Sequence, residues 1–318
     1  MEDDQRGVES VSALDGLAER VTAGATITEA DARLMLASHD LIAIGVMGDA
    51  VRRRLHGART TFVRVFEIHV NAPPAGRPLH VSAGEFRIIG RPASFEAAVK
   101  AVGAASAIAS GVPVTGFSLI DLQGVASESG QRLDAVCSAL RSAGLAAVAE
   151  VPVDLAGDAA ADAVNAARSA GLAVTRLTVH ALPDARAIEP AVRARDLQLA
   201  TGGFRVFAPL PRTMSVTEPS SGYDDVKQVA MARLLAANIE SIQVDWALYG
   251  PKLAQVALTT GADDVDNVAA QESGALGTRR SSLEEIRGNI RAAGLEPIER
   301  NAVFECGWNG AGGGAPAE

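Results

Sequence analysis

Cysteine is nearly absent from this sequence: two residues in 318, Cys137 and Cys306. A pair so far apart excludes a disulfide-rich secreted scaffold and any metal site built from sequence-local thiolates. The five histidines, His39, His56, His69, His80 and His180, form no H-x-x-x-H or H-E-x-x-H pair. Aromatic residues are 4% of the chain, too few for the base-stacking platforms of single-strand-binding proteins. Positive charge is also short, 29 Lys+Arg against 38 Asp+Glu for a net charge of −9, which argues against nucleic acid as a partner. No apolar run approaches the roughly 18 residues of a membrane helix. The nearest, Leu41 to Met47, contains Gly45, is followed by Gly48 and leads into Arg52-Arg53-Arg54. The start Met1-Glu2-Asp3-Asp4 lacks the basic segment of a signal peptide, so no membrane span and a cytoplasmic location are expected.

What is present is a large core. Hydrophobic residues make up 48% and charged residues 21%, which excludes wholesale disorder. The length fits two domains or one barrel with additions. Runs rich in Val, Ile, Phe and Leu alternate with alanine-rich segments of helical spacing. The runs predict strands over Thr61–Val70, Val114–Asp121, Leu145–Val151, Leu172–His180, Phe204–Leu210, Ser241–Trp246, Asp264–Val268 and Pro297–Phe304. Leu79–Ile89 also reads as extended, folding back as a hairpin on the first strand around Ala75-Gly76, braced by Pro73, Pro74 and Pro78. Helices are predicted over Ser94–Ser110, Ser129–Ala143, Asp158–Ala170, Ala185–Ala200, Asp224–Asn238, Pro251–Thr260 and Leu283–Ala293. Gly144, Gly171 and Gly294 each follow a helix and precede a strand, the place of a left-handed cap.

Eight strands alternating with seven helices indicate parallel units that most simply close into an α/β, (β/α) TIM-type barrel with an N-terminal helical extension. An open sheet is the alternative, but no G-x-G-x-x-G follows the first strand. The expected organisation is a helical extension over 1–58, a barrel over 59–305 and a Gly/Ala-rich tail over 306–318.

Barrel chemistry sits at the C-terminal ends of the strands. That selects Asp121, Glu150, His180, Arg212, Asp245, Trp246, Asp266 and Glu272. His180, Glu150 and Asp245 are the candidates for proton transfer; the others are candidates for lining a pocket. Each has a plainer reading. Asp121 and Glu150 could cap the following helices, His180 could be a satisfied structural histidine, and Arg212 could be solvated. In Asp263-Asp264-Val265-Asp266 successive side chains alternate faces, so at most two carboxylates converge. A packed free thiol is expected for Cys137, which lies among apolar residues at helical spacing.

Several spaced segments resemble the aminofutalosine synthases, radical S-adenosylmethionine enzymes of the futalosine route to menaquinone. They are Arg195–Leu210, Gln228–Leu235, Gly250–Leu258, Gly261–Asp266 and Ala293–Arg300, together with Arg52–Gly57 and Thr61–Arg64. The resemblance spans about Thr28 to Phe304, extends to the related dehypoxanthinyl futalosine synthases and tyrosine transferases, and adds Arg300 to the pocket candidates. It implies a barrel, a transferase reaction, and a 4Fe–4S cluster held by C-x3-C-x2-C after the first strand. Here that region reads Glu67-Ile68-His69-Val70-Asn71-Ala72-Pro73-Pro74-Ala75-Gly76-Arg77-Pro78-Leu79-His80, with no cysteine. The glycine-rich stretch expected at the cofactor's amino end is Ala147–Pro152, and the Gly-Thr expected after Asp266 is Asn267-Val268.

The departures set the functional expectation. It is a paralogue without the cluster, taking no metal and no cofactor, with the loop after the first strand narrowing the site against S-adenosylmethionine. The role expected is an accessory partner of a menaquinone-pathway enzyme. The alternative is non-radical lyase or hydrolase chemistry on a futalosine-like or benzoate-like small molecule. Last comes the family's own radical transferase reaction.

Overall fold

The computed structural model of the chain describes residues 14–72, 82–181, 188–213, 221–270 and 282–307. A helix over residues 14–22 (α1), α2 (Glu29–Ala37) and α3 (Leu41–His56) precede the first strand. There follow β1 (Arg59–His69), β2 (Glu85–Ile89), α4 (Phe95–Ile108), β3 (Val114–Ser118), α5 (Leu119–Glu128), α6 (Leu133–Ala143) and β4 (Leu145–Pro152). Next come α7 (Ala160–Ser169), β5 (Arg176–Val179), α8 (Glu189–Thr201), β6 (Val206–Pro211), α9 (Gly222–Leu235) and β7 (Ser241–Asp245). The last elements are α10 (Trp246–Leu258), β8 (Asp264–Ala269), α11 (Ser282–Ala292) and β9 (Glu296–Glu299).

The strands bond in the order β2-β3-β4-β5-β6-β7-β8-β1, and β1 pairs back onto β2, which closes a parallel barrel of eight strands. Every strand pair is parallel. Two expectations are corrected here. The described part of Leu79–Ile89, residues 82–89, does not pair as a hairpin: β2 starts at Glu85, and Val65 to His69 of β1 lie parallel to Glu85 to Ile89. A parallel neighbour must re-enter from the bottom of the barrel, which no tight turn permits. The proline-rich stretch offered as the brace, 73–81, lies outside the described residues. The second correction concerns which segment completes the ring of eight: it is β2. The expected strand Pro297–Phe304 survives as β9, which sits on the lower end of β1, Arg59 to Phe62, outside the closed ring.

One helix was also missed. Extended structure ends at Ser118, whose hydroxyl accepts from the Asp121 amide while the Asp121 carboxylate accepts from the Ser118 backbone. This capping box starts α5 where the strand reading continued to Asp121. The three glycine caps stand with φ of +112° at Gly144, +83° at Gly171 and +73° at Gly294.

The core is extensive and built mostly from aliphatic side chains and alanine. Phe62, Phe86 and Phe207 are fully buried, each contributing about 1.5–3 kcal/mol against exposure. The N-terminal helices pack on α9 through α2 and α3. The approach of α3 to the loop after α10 is set at Gly48, where an added Cβ would lie 2.0 Å from the Thr260 carbonyl oxygen. No helix among the described residues is long and apolar enough to cross a membrane.

Candidate active site at the barrel mouth

In a β-strand, residues two apart share a face. Glu85 and Arg87 therefore point together, away from Phe86 and Ile88, and their partners show that they face the barrel interior. Arg87 donates to both Glu85 oxygens (2.7 and 2.8 Å) and to both Asp266 oxygens (2.7 and 3.1 Å). Thr115 of β3 donates to Glu85 at 2.5 Å. Arg176 of β5 stands 3.4 Å from Glu85 and 3.5 Å from Asp266 and donates to the Ala149 carbonyl at 3.2 Å. Burial alone would raise the Glu85 carboxyl, but Arg87 and Arg176 outweigh it and hold it at about 2. Asp266 is likewise held well below the carboxylate range by Arg176, Arg87 and Arg212 against burial.

Above this layer the strand ends open on a cavity of about 460 Å³ lined by, among others, Phe117, Asp121, Glu150, His180, Arg212 and Asn267. His180 Nε2 lies 2.8 Å from Glu150 Oε1. Burial opposes the Glu150 charge, yet the His180 hydrogen bond and Arg212 hold its carboxyl at about 2. The same hydrogen bond, outweighing partial burial, raises His180 above its ordinary value. Nε2 thus carries a proton toward a permanent carboxylate. Asp154 fixes the segment by accepting from the His180 and Ala181 amides, both at 2.9 Å. Arg212 Nη1 donates to Asp245 Oδ2 at 2.6 Å, and the guanidinium lies 3.5 Å from both Glu150 and Asp266. The Nε hydrogens of Arg176 and Arg212 are buried without a hydrogen-bond acceptor. Two residues of the lining hold positive φ without being glycine, Phe117 at +60° and Asn267 at +59°. Such backbone costs of order 1–3 kcal/mol per residue and clusters at functional sites.

The candidates from sequence divide accordingly. His180, Glu150, Asp245, Arg212 and Asp121 line the mouth. Asp121 is also the capping-box residue of α5, and Asp245 caps α10 by accepting from the Leu248 amide at 2.9 Å. Asp266 lies in the sealed layer beneath. Trp246 begins α10 and packs against the core instead of lining the cavity. Arg300 is buried on Asp264 and lines a different cavity, at the opposite end of the barrel. Glu272 lies outside the described residues. Asp264 and Asp266 do share a face, as alternation requires, and each is consumed by arginine. Sequence reasoning missed Glu85, Arg87 and Arg176; the signal was Glu85-Phe86-Arg87, charges two apart inside an apolar strand.

Comparison with known proteins follows the same lines. Residues 207–309 match the CofH/MqnC C-terminal region. Aminodeoxyfutalosine synthase of Streptomyces coelicolor is 32% identical over 37% of this chain and 36% of its own length. The Thermus thermophilus enzyme of the same name is 35% identical over 35% of this chain and 34% of its own. The 5-amino-6-(D-ribitylamino)uracil–L-tyrosine 4-hydroxyphenyl transferase of Methanococcoides burtonii is 30% identical over 59% and 62%. In each case the matched part is less than two thirds of the relative's length. Among solved structures, the FeFe-hydrogenase maturase HydG from Carboxydothermus hydrogenoformans covers 94% of this chain and 82% of its own at a TM-score of 0.62 and 12% identity. Methylornithine synthase covers 88% of this chain and 97% of its own at 0.61 and 14%. These two show the fold alone.

The aminodeoxyfutalosine synthases correct the expectation that no cofactor is used: they are radical S-adenosylmethionine enzymes, which work with a 4Fe–4S cluster and S-adenosylmethionine. The thiols of this chain do not reproduce the three-cysteine ligand set. Cys137 is buried in α6 and Cys306 is exposed after β9, both unbridged. Among the described residues no three His, Cys, Asp or Glu side chains converge to hold a metal. This protein is thus similar in sequence to aminodeoxyfutalosine synthases and tyrosine 4-hydroxyphenyl transferases, matches the CofH/MqnC C-terminal region over residues 207–309, and folds as a parallel eight-stranded β/α barrel.

Proposed function

We propose that the mouth binds a neutral, oxygen-rich small molecule of nucleoside type, with His180 as proton donor, in the menaquinone-linked chemistry of the aminodeoxyfutalosine synthase relatives. The observation that carries this is the 2.8 Å His180–Glu150 pair inside the cavity. Glu150 stays ionised and orients the imidazole through Nε2, which leaves Nδ1 to give its proton to a ligand oxygen. Arg176 and Arg212 line the same cavity and add their guanidinium groups to its polar wall.

Charge selects the ligand class. Among the described residues of the mouth and the layer beneath it, Glu67, Glu85, Asp121, Glu150, Asp245 and Asp266 face Arg87, Arg91, Arg176, Arg212 and His180, so the set carries no cation in excess. An anion would add an unmatched charge to a half-enclosed site, at several kcal/mol of desolvation, whereas a neutral polar ligand adds none. This favours a nucleoside over a benzoate.

The test is calorimetric titration with inosine and with inosine 5′-monophosphate. Binding of the nucleoside that is stronger than that of the phosphate, and weakened by His180→Gln, is expected. Tighter binding of the phosphate, or indifference to His180→Gln, refutes the reading. A second role, as accessory partner of a synthase in the same branch, is favoured by the cysteine count, two thiols where the resembled motif has three. Co-elution with such a synthase tests it.

A further inference from the structure

The opposite end of the barrel carries a second cavity, of about 380 Å³, at the N-terminal ends of β1, β6, β7 and β8. That face of a β/α barrel ordinarily serves stability alone. Here its wall combines three features. The first is an excess of positive charge. Arg59, Arg205 and Arg300 line it together with Glu240 and Asp263. Behind them Arg300 is matched by Asp264, Asp263 by Arg233 and Glu240 by Arg205. Arg59 remains without a partner among the described residues.

The second feature is an aromatic surface held under strain. Phe304 has φ of +66°, in the left-handed region that favours glycine, and its ring lies 4.1 Å beneath the Arg300 guanidinium and 6.0 Å from that of Arg205. Both guanidinium groups hold the phenyl ring by cation–π attraction. The third feature is apolar wall left partly in water: Leu55 lines the cavity at 49% exposure, beside Ala237.

We propose that this lower cavity is a binding site for a flat aromatic anion, its acidic group on Arg59 and its ring against Phe304 and Leu55. The mouth, with no cation in excess, disfavours an anion; the lower cavity, with one guanidinium in excess, favours it. Neither the proton donor nor the ion layer of the mouth takes part, so the two sites stand or fall separately.

Cys306, exposed on the cavity wall, provides a reporter. The probe is 2-naphthalenesulfonate. It is expected to slow alkylation of Cys306 by a maleimide, with an affinity that Arg59→Ala lowers by about tenfold or more. Arg59 is exposed, so its loss leaves the fold intact. Phe304→Gly accepts the positive φ without penalty and removes only the ring; it is expected to weaken the probe as well. Absence of protection in the unaltered protein, or protection that neither substitution changes, overturns the proposal.

Discussion

Arg87 on β2 and Asp266 on β8 form a two-armed ion pair, 2.7 and 3.1 Å, across the inside of the barrel. Both strands flank β1, so the pair spans the seam at which the sheet closes. Removing one partner of a buried pair strands the other charge. Arg87→Met leaves Glu85 facing Arg176 at 3.4 Å and Asp266 facing Arg176 and Arg212, each at 3.5 Å. The expected cost is about 3–5 kcal/mol, read as a lower urea midpoint. A loss under about 1 kcal/mol would mean that the layer contributes nothing to closure.

The His180–Glu150 pair gives stability a pH signature. His180 is raised above 6.5, so its contribution is complete below that value and disappears as pH rises through the folded value. Glu150 is depressed from 4.5 to about 2, so its contribution is complete above 4.5 and disappears as pH falls toward 2. The pair therefore stabilises most between about pH 4.5 and 6.5. In an NMR titration His180 should become less basic in Glu150→Gln. An unchanged midpoint would show that Glu150 does not set the imidazole's charge.

Gly48 sets the distance between α3 and the loop after α10. The methyl of Gly48→Ala meets backbone, the Thr260 carbonyl oxygen at 2.0 Å, which cannot swing aside as a side chain can. The substitution should cost about 1–3 kcal/mol even though alanine is the better helix former. Thermal unfolding decides it; an unchanged or raised Tm would show that the contact yields freely.

The two thiols should differ sharply in reactivity. Burial pushes Cys137 up to about 11, while Cys306 is exposed. At pH 8 a maleimide is expected to modify one thiol in the folded protein and two after denaturation. Fast modification of both in the native state would place α6 away from the core.

What the sequence determined by itself was local and repetitive. The alternation of β-branched runs with alanine-rich segments, and the glycines after three helices, specify parallel units because each depends on only a few neighbouring residues. The strand ends carrying Glu150, His180 and Asp245 were legible for the same reason, since barrel chemistry collects at that edge. Strand partnership was not legible. That β2 and not the Pro297 segment closes the ring depends on which edge is free once the chain is wound, and no local pattern encodes it. The tight turn expected after β1 failed because parallel pairing is a property of two strands together. The Asp121 box was read as strand because a cap shows itself only when the backbone turns. The ion layer of Glu85, Arg87, Arg176 and Asp266 was decided by tertiary structure alone: residues far apart in the chain tolerate burial only because closure of the barrel sets opposite charges within hydrogen-bonding reach.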